Sequence, residues 1–322
     1  MKHILFATLL LVGCTENTPG DLITVRVHSG MHFDALLDTL VTKEILEHPR
    51  LVRLYARVTR KDRKIQAGEY ALHKNSDWKE TLLILTEGTV ITFDLTIPEG
   101  LTLKEISEKL SEHMESPTDK IYADISGSTL GKTWALPGPG LEGYLFPDTY
   151  RFPKGVSLET VLETMIGQYK SIWTPERLSR LHELGMSERE LITLASIIQA
   201  EARIAEEMPR ISSVYHNRLR LGYLLQADPT VIYALGARRS RLLFAAIDSV
   251  ADNPYNTYTQ PGLPPGPIAA AGEQAIDAAL NPSEDSYLYF VAQPGGHHIF
   301  SKTLQEHNRA ITKIRNKPSN RP

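Results

Sequence analysis

Residues 23–97 repeat one hydrophobic pattern three times. Residues 23–28 alternate apolar and polar side chains, the period of a strand with one buried face, and Ser29-Gly30 then turns the chain. Phe33, Leu36, Leu37, Leu40 and Val41 follow at steps of three and four, which predicts a helix over 33–46. Residues 68–72 read as a second strand and 77–85 as a second helix, capped at Ser76 or Asp77. Residues 90–97 alternate again, Pro98-Glu99-Gly100 turns, and Thr102 with Glu105 forms a capping box for a helix over 103–110. The spacing of the units is irregular, so the pattern predicts a small α+β region rather than a solenoid.

Residues 119–140 are weakly patterned and glycine-rich and read as a loop. Residues 141–152 (LEGYLFPDTYRF) hold four aromatic rings beside Glu142, Asp148 and Arg151. Such a stretch suits either a sugar-binding wall or a structural cluster at a domain junction. From residue 158 the period is helical: helices are predicted over 158–172, 175–184 (capped by Thr174), 187–203 and 208–221. Asp228 with Pro229 behind it reads as the N-cap of a further helix. Residues 253–268 contain five prolines and must be irregular, and long irregular segments commonly carry function. A small-residue helix over 269–280, a hairpin turning at 293–296 and a final helix capped by Thr303 and Glu306 complete the chain.

The 322 residues suffice for two domains, and 42% hydrophobic with 23% charged residues is ordinary globular composition. A net charge of −3 gives no reason to expect nucleic acid. One cysteine rules out an intrachain disulfide framework, and the eleven histidines show no tight ligand spacing. No metal or other cofactor is therefore called for. The cysteine follows a basic start (Lys2, His3), an apolar run over 4–12 and Gly13, which together read as a secretory signal too short to span a bilayer. Leu11-Val12-Gly13-Cys14 resembles the bacterial lipobox, in which Cys14 would carry lipid, and residues 15–21 read as a polar tether. The expectation is a body held outside the cytoplasm on a membrane.

The chemistry converges on residues 187–203. Ser187 and Glu190 form a capping box, Leu191, Leu194 and Ile198 define a buried stripe, and the next residue on that stripe is Glu201. Glu201 is either a surface residue, solvated or paired with Arg203, or a carboxyl kept protonated by burial and thus suited to general acid work. The remaining polar candidates are neutral groups and one carboxylate: Asn217, Gln226, Asp228, Tyr255 and Asn256, expected to position a substrate, with Glu142 as reserve acid. There is no phosphate cradle, no GxSxG elbow and no dinucleotide fingerprint. One acid among hydrogen-bonding groups fits glycan cleavage. Hydrolysis would need Asp228 as the second carboxylate. A muramyl sugar offers a one-acid alternative, in which its own 6-hydroxyl closes on the anomeric carbon.

Seven blocks, in order, resemble the endolytic murein transglycosylases of the MltG (YceG-like) type: LEGYLFPDTY (141–150), ASIIQAEA (195–202), VYHNRL (214–219), LQADPTVIYALG (225–236), YNTYTQPGLPPGPI (255–268), YLYFVA (287–292) and HIFSKTLQEHN (298–308). After the signal and tether over 1–20, the resemblance implies an α+β fold: an α+β region with a LysM-like subdomain over 21–115, and a mainly helical, lysozyme-like catalytic domain with a β-hairpin over 116–318. It implies Glu201 as catalytic acid, cleavage of nascent peptidoglycan glycan strands with 1,6-anhydro-muramyl ends, and an end to glycan elongation. A membrane-anchored, extracytoplasmic or periplasmic enzyme working beside cell-wall synthases follows from the same resemblance. Three departures stand out. Gln199 occupies a position where the family commonly has Glu; it lies about 200° around the helix from Glu201 and is expected to act on the surroundings of the site. Ala270-Ala271-Gly272 lacks the usual polar cap and proline, and the lipobox replaces the usual spanning helix.

Overall fold

The computed structural model describes residues 21–28, 30–237 and 242–316, and forms two compact units. One unit runs to Phe93 and includes Pro153–Gly155; the other comprises Asp94–Phe152 and the chain from Val156 onward. The signal and Cys14 lie outside the described residues.

The first unit follows the predicted alternation. Strand β1 (Leu22–Val27) pairs antiparallel with β2 (Gly68–His73), Leu22 opposite His73 and Val27 opposite Gly68. Helices α1 (Phe33–Thr42), α2 (Pro49–Val58) and α3 (Trp78–Glu87) surround this hairpin. The inward residues Val25, Val27, Leu36, Leu37, Leu40, Tyr70, Leu72 and Leu85 form its core. Asp77, not Ser76, caps α3, its carboxylate accepting from the Lys79 N–H at 3.1 Å. The sequence pattern passes over α2, because only Val52 and Ala56 of its ten residues face the core.

Strand β3 (Thr92–Thr96) pairs with β4 (Thr149–Pro153), and in the second unit Arg151 grips Asp94 through two hydrogen bonds of 2.8 and 3.1 Å. Helix α4 (Leu103–Ser111) starts on the expected Thr102–Glu105 capping box. The segment expected to be a loop is instead α5 (Thr118–Ile125) and the single turn α6 (Leu130–Thr133), which bury Ile121 and Ile125. Helices of eight and four residues are too short to show a hydrophobic period. Gly131 is needed there: an added Cβ would meet the Gly138 carbonyl oxygen at 1.8 Å. Tyr144, Phe146, Tyr150 and Phe152 are all buried, so the aromatic run is an internal brace rather than an exposed wall. Tyr144 meets Tyr169 edge to face at 5.2 Å, and the Tyr150 hydroxyl donates to the Phe146 carbonyl.

Five helices follow: α7 (Leu158–Ser171), α8 (Pro175–Glu183), α9 (Glu188–Glu201), α10 (Met208–Leu221) and α11 (Asp228–Leu235). They are succeeded by α12 (Phe244–Asp248), α13 (Glu273–Leu280), the hairpin β5 (Tyr289–Ala292) and β6 (His298–Ser301), and α14 (Leu304–Arg315). Helix α9 is the axis. Its residues 191–198 are all buried, on every side and not on one stripe only, because α10, α11 and α13 pack around it. The irregular segment 253–268 is tied to α9 where Ser196 Oγ accepts from the Ile268 N–H at 3.0 Å. Helix α13 begins four residues later than the sequence predicts. Residues 269–272 stay extended because Ala270 exchanges backbone hydrogen bonds with Gly100 and Leu101.

Candidate active site

The site is built at the C-terminal end of α9, where helical spacing carries the buried stripe out to Glu201, the last helical residue. Tyr215, on α10, lies wholly inside the core and needs a partner for its hydroxyl; it donates to Glu201 Oε1 at 3.0 Å. Among the described residues the second carboxyl oxygen of Glu201 has no hydrogen-bond partner. Burial lifts the Glu201 carboxyl from the ordinary glutamate range to about 7. The Tyr215 hydroxyl opposes that rise, the charge of Asp228 adds to it, and the Arg218 guanidinium opposes it. Glu201 is thus not the solvated partner of Arg203 that helix geometry alone left open.

Arg218 is the brace of this corner. It donates to the carbonyls of Leu288 and Leu225 at 2.7 Å each and of Leu224 at 3.3 Å. Its guanidinium also lies over the Tyr289 ring, 5.2 Å from the centroid. This ties α10 to the hairpin strand β5 and to the segment leading into α11.

Asp228 corrects the capping expectation. Ala227 is the N-cap of α11, no side chain caps it, and Asp228 is the first helical residue with Pro229 behind it. The exposed Asp228 carboxylate instead accepts from the Tyr258 hydroxyl at 2.5 Å. Thr257 holds that geometry: its carbonyl accepts from the Gln226 N–H and its hydroxyl oxygen from the Ala227 N–H, both at 3.0 Å. Gln226 sits in the left-handed region at φ +48° with its side chain exposed.

Asn217 and Asn256 both have their amides engaged within the fold. Asn217 donates to the carbonyls of Asp285 and Tyr287 and accepts from Arg220, while the buried Asn256 donates to Ile247 and Val250. They shape the loops around the site and offer no free amide. Tyr255 is half-buried and packs on Tyr233 at 4.8 Å.

A cleft of about 1060 Å³ lies nearby, and Glu201 is not among its lining residues. It opens past Gln199 and Ala200 at the same end of α9 and is lined by Glu99, Glu142, Tyr233 and Tyr255 among others. In it Glu142 accepts from the Leu103 N–H at 2.9 Å and the Tyr233 hydroxyl at 3.1 Å, and burial raises its carboxyl to about 7. Gln199 points away from Glu201, as its position on the helix requires, and accepts from the Gly272 N–H at 3.0 Å. It therefore supplies the acceptor that the sequence lacks at the start of α13.

Neither Tyr215, within the predicted 208–221 helix, nor Tyr258, within the irregular 253–268 segment, is marked by the sequence as a partner of a carboxylate. The usable signal for Tyr215 was a hydroxyl on an otherwise apolar stripe, which burial obliges to find an acceptor. His297 and His298, neighbours in the hairpin, both meet Glu207. No group of metal-binding geometry occurs among the described residues, and none of their helices is long and apolar enough to cross a membrane.

The model of the YceG-like family matches residues 25–313. A Bacillus subtilis (strain 168) protein named endolytic murein transglycosylase is 33% identical over 307 residues, spanning 90% of this chain and 84% of that protein. A Streptococcus pneumoniae protein of the same name is 27% identical over 319 residues, covering 90% of this chain but 58% of its own greater length. A crystal structure of a YceG-like protein from Listeria monocytogenes is 31% identical, with a TM-score of 0.61 over 89% of this chain and 98% of that one.

Proposed function

The chain belongs to the YceG-like family, and on that premise we propose that it is a lytic transglycosylase cleaving peptidoglycan glycan strands, with Glu201 as sole acid and base. The observation that carries the reading is the Glu201 carboxyl: half-buried at the end of α9, held by Tyr215 through one oxygen, free at the other and lifted to about 7. At neutral pH a large share of it is protonated, which is the state a general acid needs. The free oxygen delivers its proton to the glycosidic oxygen as the bond to the muramyl anomeric carbon breaks. The sugar's 6-hydroxyl oxygen then bonds to that carbon, and the same carboxylate takes up the hydroxyl proton. The enzyme ends as it began, the product carries a 1,6-anhydro ring, and no water is consumed.

In this reading Asp228, whose charge acts on the acid, and the exposed Gln226 contact the substrate, and Tyr255 and Glu142 contact it within the cleft. Asn217 and Asn256 hold the loops. The β1–β2 unit acts as a LysM-like glycan-holding module, Cys14 anchors the enzyme to a membrane outside the cytoplasm, and cleavage ends strand growth beside the cell-wall synthases.

One observation favours a second reading. The Asp228 charge raises the Glu201 carboxyl, which supports a hydrolase that uses the two carboxylates together. Mass spectrometry of fragments from purified glycan strands separates the two. Anhydro ends are lighter than hydrolytic reducing ends by one water. Glu201→Gln should lower fragment release by about a thousandfold or more; release at the wild-type rate would end the assignment of Glu201, and reducing muramyl ends would select the hydrolase.

A further inference from the structure

Helix α2 carries a second apolar face that the first unit does not cover. Val52 and Ala56 point into the core. Leu51, Leu54 and Val58 recur at steps of three and four on a different side and are 50%, 64% and 74% exposed. Three large apolar side chains in one exposed stripe on a ten-residue helix mark a contact surface rather than scattered surface residues. The charge around the stripe is one-sided. Residues 50–64 hold seven cations against the single anion Asp62, in a chain whose net charge is −3. Arg53 and Arg57 pair with Asp34 at 2.7 and 3.4 Å, and Lys61 lies over the Tyr55 ring. Arg50, Arg60, Arg63 and Lys64 are exposed and make no ion pair among the described residues.

An amphipathic helix with a short apolar stripe and a polar face rich in Arg is the design of an element that lies in a membrane interface. A glycan strand offers no apolar phase for Leu51, Leu54 and Val58. We propose that α2 docks the first unit on an anionic phospholipid surface, with Leu51, Leu54 and Val58 entering the interface and the free Arg and Lys side chains holding headgroup phosphates. Reach agrees with this occupant. Only seven residues separate Cys14 from Leu22, the first residue of β1. A tether of that length spans at most about 25 Å, and β1 and α2 belong to the same compact unit. Lipid on Cys14 would therefore keep this unit at the headgroups, where a single acyl chain gains most from a second, polybasic signal.

The test uses the full chain reconstituted on vesicles, with Leu54→Trp as reporter and the unsubstituted chain as background for the three native tryptophans. The vesicles contain brominated phosphatidylcholine, either alone or with about 30 mol% phosphatidylglycerol, a surface charge in the range that attracts polybasic segments. The expected result is quenching of the reporter at position 54 in the anionic vesicles at least about twice background, lost in roughly 0.5 M salt. Adding Arg50→Glu, Arg60→Glu and Arg63→Glu should bring it to background, while an unchanged urea midpoint shows that this variant is folded. No quenching above background overturns the proposal. So does equal quenching on neutral and anionic vesicles, or protection of position 54 by soluble poly(glycerol phosphate) but not by vesicles.

Discussion

At the scale of single residues, Glu201 shows how one position is set by competing forces. Burial raises its carboxyl, and the Tyr215 hydroxyl partly restores the charged form. Removing that donor should raise the carboxyl further. In Tyr215→Phe the alkaline limb of the pH–rate profile is therefore expected to move to higher pH, since the acid stays protonated longer; a limb that moved down would contradict the geometry. The same shift appears in stability. Glu201 titrates near 4.5 when unfolded and near 7 when folded. Between those values the folded chain keeps a proton that the unfolded chain releases, so stability falls as pH rises through that window and levels off above it. Glu201→Gln removes this group's share of the slope. Its stability in urea should match wild type near pH 5 and exceed it at pH 8 by up to about 2 kcal/mol, less than the full shift because the site is partly open to water. The sequence announced Glu201 through a stripe at steps of three and four. It did not announce Tyr215 as its partner, because the two lie fourteen residues apart on different helices.

At the scale of elements, caps and pairings explain what periodicity saw and what it missed. The capping boxes of α4, α9 and α14 form where Ser or Thr precedes Glu by three residues, since both partners lie within one turn. Asp228 broke the local rule. The preferred capping residue became the first helical residue, because Thr257, thirty positions away, engages the backbone at Ala227 and Tyr258 takes the carboxylate. The start of α13 is likewise completed from outside by Gln199. Gln199→Ala leaves the Gly272 N–H without its acceptor and should cost about 1 kcal/mol of stability, read as a lower thermal midpoint. Its kcat should change by less than about tenfold, since the side chain faces away from Glu201. A thousandfold loss would place Gln199 in the chemistry instead.

At the scale of the molecule, the second unit is a set of helices closed around α9 by contacts of long sequence separation. Arg177 is the clearest of them. From α8 it donates to both carboxylate oxygens of Asp277 at 2.8 and 2.9 Å and to Glu273 at 2.6 Å, all on α13, and to the Ile172 carbonyl. Helix α13 in turn packs on α9. Arg177→Ala removes a mostly buried guanidinium from two largely exposed carboxylates and the Ile172 carbonyl and should destabilise the protein by about 1–2 kcal/mol in urea. Activity below the transition should fall only modestly, because the corner around Glu201 is untouched. The sequence by itself determined the elements whose signals are local: the β1–β2 alternation, the capped helices, the proline-rich irregular segment and the acid at the end of the α9 stripe. Tertiary structure alone decided that residues 119–140 fold into short helices, that the aromatic run turns inward, that α9 is buried on every side, and that Tyr215, Asp228 and Arg218 converge on Glu201. The reason is physical. Periodicity and capping are interactions within a few residues, whereas burial and the partner of a buried polar group depend on which segments meet, and that is settled only when the chain closes on itself.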